Sequence, residues 1–240
     1  MKYIVFIGIL FLLASCNTKF NIIDTGFVNG KFDGNMYEYL QSNSYDWDST
    51  RLMIEKADLV DLFEGKRTGY EQITFFGPTN HSIRRYMLDN KITSIAEMDK
   101  DFCYEMIMKC VVKGKYMRDD IPSGKPAVNE TDDNDWSDDD DWTDDNEEDN
   151  DWTDDEEEPG EGSDKYQGTG GVVFTGETGN RFWIYSFQES YNQVAGVGAI
   201  VLYIVSLETG GTKIDVASTD IEPTNGVVHS LHYNFTLGDL

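Results

Sequence analysis

Residues 73–88 read ITFFGPTNHSIRRYML, and this short stretch constrains the fold more than any other. Ile73, Thr74, Phe75 and Phe76 predict an apolar strand, which breaks at Gly77-Pro78 because proline supplies no N–H to a ladder. Thr79 or Asn80 then offers a short side-chain oxygen to cap the free N–H groups of a first helical turn. The helix that follows carries Ile83, Tyr86 and Met87 on one face by their i, i+3, i+4 spacing. A strand, a sharp stop and an amphipathic helix thus occupy sixteen residues.

The residues on either side of this stretch are helical in pattern. From Asn35, Met36, Tyr39 and Leu40 share one side, and residues 42–46 form a polar break. Asp48 or Ser49 is expected to cap a second helix with Leu52, Met53 and Ala57 inward. A short apolar segment, 59–63, follows, and Gly65 is the expected stop. Further on, Ser94 and Glu97 have the S-x-x-E form of a capping box. Phe102, Cys103, Met106, Ile107 and Cys110 then make one stripe of a buried helix. Cys103 and Cys110 would lie about 10 Å apart along such a helix, beyond disulfide reach, so both are expected to be buried thiols. Residues 111–116, VVKGKY, read as a strand and a turn.

Beyond residue 170 the period changes. Residues 172–175 are a short strand. Residues 181–187 alternate Phe182, Ile184 and Ser186 against Trp183, Tyr185 and Phe187, with Gly179-Asn180 as the preceding turn. Residues 198–207 are almost continuously apolar, rich in Val and Ile and only ten long, which predicts a central strand rather than a membrane span. Residues 213–217 and 227–231 supply two more strands. Helices first and strands later imply an α+β domain, in which helices cover a mostly antiparallel sheet.

Thr74, Phe76, Pro78, Thr79 and Asn80 resemble, position by position, the T-x-F-x-P-T-N signature of fasciclin-like (FAS1) domains. Thr224-Asn225-Gly226-Val227-Val228-His229 resembles the second signature of that family, and residues 111–116 resemble its V-V-x-G-K-Y element. The Tyr-His pair that precedes this element in the family is replaced by Lys109-Cys110. That pair is tied to integrin adhesion in animal relatives, so the departure weighs against importing the function. The resemblance covers residues 35–124 and 165–240. It implies a non-enzymatic adhesion or scaffolding module, with His229 at a position that holds a structural histidine. Bacterial lipoproteins of this type also resemble accessory components of outer-membrane polysaccharide uptake.

The N-terminus carries an address. Lys2 precedes an apolar run over residues 3–13, broken only by Gly8, too short to span a bilayer. It ends Leu13-Ala14-Ser15-Cys16, which resembles a bacterial lipobox. Residues 1–15 are therefore expected to be a signal peptide, Cys16 the lipid attachment site, and 16–34 a lipid-anchored tether. Several acyl chains on one cysteine would anchor stably where one is marginal. Asn17, in place of an inner-membrane retention aspartate, favours the outer membrane by analogy. A fasciclin-like domain over 35–240 follows, interrupted at 129–164.

That interruption holds most of the charge. The chain has 240 residues and a formal charge of −26. Residues 130–164 contain 21 Asp or Glu and no Lys or Arg, leaving 24 acidic against 19 basic residues elsewhere, a net of −5. D-W-[ST]-D-D occurs three times, around Trp136, Trp142 and Trp152. Dense like charge with so little apolar content predicts a disordered tract. Hard cations take carboxylate oxygens, but no glycine turn preforms a cage, so calcium binding is expected to be diffuse and weak, on the order of 10⁻³ to 10⁻⁴ M. With no clustered basic face, nucleic acid is an unfavourable partner.

No catalytic constellation is legible. No Ser or Cys sits in a nucleophile motif with His81, His229 or His232. His81 is expected in an exposed first turn. His229 and His232 would point to opposite faces of a strand, which argues against a shared metal. Trp183, Tyr185, Tyr191, Tyr203 and Tyr233 admit two readings, a glycan-binding surface or ordinary sheet packing. The sequence thus predicts a lipid-anchored, non-enzymatic surface module for a protein or glycan partner. The alternative is an envelope scaffolding component whose acidic tract is a charged spacer or a weak calcium buffer.

Overall fold

A computed structural model of the chain describes residues 30–126, 166–192, 194, 196–210 and 213–240. Cys16, the segment 1–15 and the tract 129–164 lie outside the described residues. The packed unit begins at Phe32. The Phe32 N–H donates to the Glu222 carbonyl at 2.9 Å, and the Thr224 N–H and hydroxyl donate to the Gly34 carbonyl. Residues 32–34, expected to close the tether, therefore belong to the domain.

Five α-helices are described: α1 (Met36–Ser42), α2 (Ser44–Lys56), α3 (Val60–Phe63), α4 (Asn80–Asp89) and α5 (Lys100–Lys109). Asn35 caps α1 in a reciprocal box with Glu38, satisfying two free donors at once. The second helix starts at Ser44, four residues before the expected cap at Asp48. Its inward residues are Trp47, Thr50, Met53 and Ile54, while Leu52 is exposed. The expected break over 42–46 narrows to the single turn residue Asn43, and residues 44–46 open α2. Gly65, at φ +72°, ends α3 in the left-handed region, which a Cβ-bearing residue enters only with strain. The Ser94 box caps only a single 3₁₀ turn, Ile95–Glu97, and the Glu97 carboxylate bonds Thr93 instead of Ser94. Asp99 caps α5, accepting from the Asp101 and Phe102 N–H groups. Burial holds the Cys103 and Cys110 thiols free in the core, and desolvation pushes Cys110 up to about 12.

The strands are β1 (Ile73–Gly77), β2 (Val111–Lys113), β3 (Gly124–Lys125), β4 (Thr169–Gly170), β5 (Val172–Thr175), β6 (Arg181–Gln188), β7 (Ile200–Ser206), β8 (Ile214–Ile221) and β9 (Gly226–Leu231). Seven form one sheet in the order β2-β1-β9-β8-β7-β6-β5. Every pairing in it is antiparallel except β1 with β9. The α+β class and mostly antiparallel sheet expected from the sequence are present. All five residues of β1 and all six of β9 are buried, as expected for strands covered on both faces. The apolar β7, in contrast, alternates: Leu202, Ile204 and Ser206 are buried, and Val201, Tyr203 and Val205 are half-buried. Continuous apolarity there does not bring full burial.

The sheet curls until its edges meet. Tyr116, three residues past β2, packs on Phe174 of β5 with ring centroids 4.6 Å apart. Asn180 and Glu177, beyond β5, donate to the Lys109 and Met108 carbonyls at the end of α5. Phe76, Phe174, Phe182 and His229 fill the interior so formed. Helix α2 crosses β1 so closely that a Cβ on Gly77 would sit 2.5 Å from Trp47.

Two buried asparagines tie the layers together. Asn80 accepts from the Ser49 N–H at 2.6 Å and donates to the Ser44 and Tyr45 carbonyls at 3.0 and 2.7 Å. Asn225 accepts from the Met36 N–H at 2.7 Å and donates to the Phe63 carbonyl at 2.9 Å. The flanks of the insertion are joined as well, since Gly124 pairs with Gly170 and Lys125 with Thr169.

Replacing Asn225 by Ala strands a buried N–H and a buried C=O, at about 1–3 kcal/mol each. Thermal unfolding is expected to drop by several degrees, at about 2–4 °C per kcal/mol for a domain of this size. An unchanged midpoint would refute the tie. Because β3 and β4 hold the flanks in register, replacing residues 129–164 by a short Gly/Ser linker is expected to preserve one cooperative unfolding transition. Loss of cooperativity would show that the domain depends on the insertion.

Candidate functional site

The residues of both sequence signatures are engaged inside the fold. Thr74 accepts from the Tyr116 N–H and donates to the Gly114 carbonyl, and the Pro78 carbonyl accepts from Thr50. His229 is buried on β9 and lies against Phe76 at 5.3 Å. Its Nε2 faces the Tyr116 carbonyl at 2.9 Å, and its Nδ1 faces the Asp220 N–H at 3.4 Å. A carbonyl at one nitrogen and an N–H at the other suit the neutral imidazole protonated at Nε2. A break in the β8–β9 register brings Asp220 there, at φ +61°, and its carboxylate also accepts from the Arg118 N–H. Desolvation lowers the affinity of His229 for a proton below its ordinary range. It is a structural histidine.

The other two histidines lie apart from it. His81 is exposed in the first turn of α4. His232 follows β9 and bonds Asn234. Among the described residues no group of three or more His, Cys, Asp or Glu could hold a metal.

Two of the candidate glycan-binding aromatics are core residues. Trp183 and Tyr185 are buried and stacked with centroids 4.2 Å apart, and the Trp183 indole donates to the Gly170 carbonyl. Residues returning from the insertion cover this outer face of β6, which alternation alone does not reveal. Tyr203 is half-buried, bonds Glu189 and lies beneath Lys213. Tyr191 and Tyr233 are exposed.

Two open surfaces stand out among the described residues. The first is the hairpin that extends β6 and β7. Gln188 pairs with Ile200, the Glu189 N–H donates to the Ala199 carbonyl, and Tyr191 and Val194 exchange two hydrogen bonds. Phe187, Tyr191, Val194, Val197 and Ile200 are all exposed on it, Tyr191 by 65%. At its base lies a groove of about 430 Å³, lined by Ser123, Lys125, Thr169, Ser186, Phe187 and Gln188. The insertion departs and returns at this groove. On this hairpin the sequence singles out Phe187 and Tyr191 but not Val194, Val197 or Ile200. The available signal was the run 194–201, VAGVGAIV, apolar before the strand begins.

The second is a cleft of about 420 Å³ between the first turns of α2 and α4, lined by Ser44, Tyr45, Asp48, His81 and Arg84. Tyr45 is 85% exposed although its carbonyl is held by Asn80. In the sequence it falls within the polar break at 42–46, which gives no sign of its place in the first turn of α2.

No family model matches the chain, and no curated protein matches it. Among solved structures it is similar to a FAS1 domain pair from the insect cell adhesion molecule fasciclin I, at 15% identity and a TM-score of 0.47. The match covers 82% of this chain and 49% of that one, so the chain spans about half the length of the pair.

Between the ordinary His229 value of 6.5 and its lower folded value, the unfolded chain binds the proton and the folded domain does not. Stability therefore falls as pH drops below about 6.5. Urea midpoints at pH 7 and pH 5 are expected to differ more for the wild type than for His229→Gln. An equal difference would remove His229 as the cause.

Proposed function

We propose that the chain is a non-enzymatic, fasciclin-like binding module of the bacterial envelope, anchored at the outer membrane by lipid on Cys16. The observation that carries this reading is the exposed apolar hairpin beside the groove at the base of the insertion. Thr74, Asn80, Thr224, Asn225 and His229 of the two motifs spend their polar groups on the fold, and the hairpin exposes apolar side chains to solvent. Contiguous apolar exposure marks interaction surfaces. A surface protein or a glycan is the expected partner, and the resemblance to fasciclin-like lipoproteins agrees with that role. Calcium enters only as a weak, diffuse counterion of the insertion.

The scaffolding alternative is favoured by a different observation. The insertion leaves and rejoins the domain through one two-residue ladder, as a tethered charged spacer would.

Two measurements bear on these readings. Cys16→Ser is expected to abolish acylation and release the protein from membranes; a variant still found in the membrane fraction sinks the anchor. Envelope extract passed over the immobilised chain is expected to leave a bound protein or glycan, and Tyr191→Ser/Val197→Ser should reduce that capture about tenfold, or about 1.4 kcal/mol. Undiminished capture by the double variant would exclude the hairpin as the binding surface.

A further inference from the structure

The cleft between α2 and α4 is distinct from the hairpin and differs from it in chemistry. Its lining joins one exposed aromatic ring, one carboxylate, one imidazole, one guanidinium and one hydroxyl. We propose that it binds an acidic pyranose, a uronic-acid unit of a glycan, with the Tyr45 ring against the sugar face and Arg84 on the carboxylate.

Charge accounting comes first. Asp48 is paired with Arg51 at 2.8 Å, and Arg51 also pairs with Glu55. Arg85, the next residue of α4, spends its guanidinium on the Tyr233 and Phe235 carbonyls. Arg84 and His81, both exposed, make no hydrogen bond or ion pair among the described residues. The first turn of α4 carries no acidic residue, and its cap residue Thr79 makes no side-chain capping bond. The positive end of the helix dipole is therefore not offset there. Asp46 is the remaining acid in the first turn of α2. The cleft thus presents one uncommitted guanidinium fork, whose planar donors match a carboxylate in a bidentate pair.

The remaining groups select among anions. A free phosphate would use Arg84 but would gain nothing from the tyrosine ring. A pyranose uses both. Its C–H face stacks on an exposed aromatic ring, because tyrosine offers apolar area at low conformational cost. Its hydroxyls donate to the Asp48 carboxylate and exchange bonds with the exposed Ser44 hydroxyl.

Rigidity makes so shallow a site workable. Asn80 fixes the carbonyls of Ser44 and Tyr45 and the N–H of Ser49. His81 and Arg84 follow on the helix that Asn80 begins. One buried amide thus sets the backbone on both sides of the cleft before any ligand arrives, which lowers the ordering cost of binding.

The test is calorimetry on the full chain with digalacturonate, its neutral methyl ester, acetate and a diglutamate peptide. Digalacturonate is expected to saturate one site, with the ester, acetate and peptide each at least about tenfold weaker, or about 1.4 kcal/mol. Tyr45→Ala and Arg84→Ala should each lose about tenfold with unchanged melting, since exposed substitutions shift stability by only about ±0.5 kcal/mol. Equal binding of the ester removes the role of the carboxylate, and equal binding of the peptide removes the sugar. Binding that survives Arg84→Ala, or no saturation by about 10 mM digalacturonate, a range that corresponds to less than about 3 kcal/mol, overturns the proposal. None of these results depends on the hairpin, so this site can fail while the hairpin reading stands.

Discussion

The fold depends on two buried side-chain amides. A helix layer packed on a sheet leaves backbone donors and acceptors at helix ends with no partner in their own element. An amide answers both needs, because it carries a donor and an acceptor on one rigid plane, as a peptide group does. Asn80 supplies this at the start of α4 for the backbone of α2. Asn225 supplies it just before β9, for the start of α1 and the end of α3. Aspartate would lose the donor and an alkyl side chain would lose both. The parallel strands β1 and β9 thus each adjoin an asparagine that stitches them to the helices. The asparagines of the two signatures, rather than their threonines, do the joining common to both.

That division explains what was legible in the sequence. The strand, break and helix of residues 73–88 follow from local chemistry, and the structure forms them there. So do the strand at 181–187, the left-handed Gly65 and the buried thiols. The misreadings have two causes: some deciding partners are remote in sequence, and elsewhere a neighbouring residue competes for the same group. Residues 42–46 look like a polar break until Asn80, thirty-five residues from Tyr45, binds the Ser44 and Tyr45 carbonyls. Ser94 and Glu97 have the letters of a capping box, yet Glu97 bonds Thr93, and Asp99 is left to start the helix. Trp183 and Tyr185 look like surface aromatics because alternation marks one face of β6 as core and cannot reveal that Gly170 and its neighbours cover the other. The cleft and the hairpin were hidden for the same reason. Tyr45 needed the helix register, and Val197 needed the knowledge that β7 begins only at Ile200.

Closure of the sheet couples the halves of the chain across the insertion. Tyr116 precedes the insertion and Phe174 follows it, yet their rings meet. His229 bonds the carbonyl of the same Tyr116, so the closure is clasped by a group whose burial favours the neutral form. The charge of the insertion enters elsewhere, at the β3–β4 ladder. In sequence, the twenty-one carboxylates of residues 130–164 fall between the two strands of that ladder.

The two open surfaces therefore suit different ligands, for reasons of ordering cost. The cleft is small, but one buried amide has already fixed its backbone, so even a single sugar unit has few degrees of freedom to freeze beyond its own. The hairpin exposes more apolar surface, but its tip is held mainly by the Glu189–Ala199 and Tyr191–Val194 backbone bonds. Binding there must order protruding side chains at about 0.5–1.5 kcal/mol for each one immobilised. A small ligand cannot offset that cost, whereas a macromolecular partner covering several of the five apolar residues can. The cleft is built by the first turns of α2 and α4 and the hairpin by β6 and β7, so the two surfaces belong to different elements of the fold.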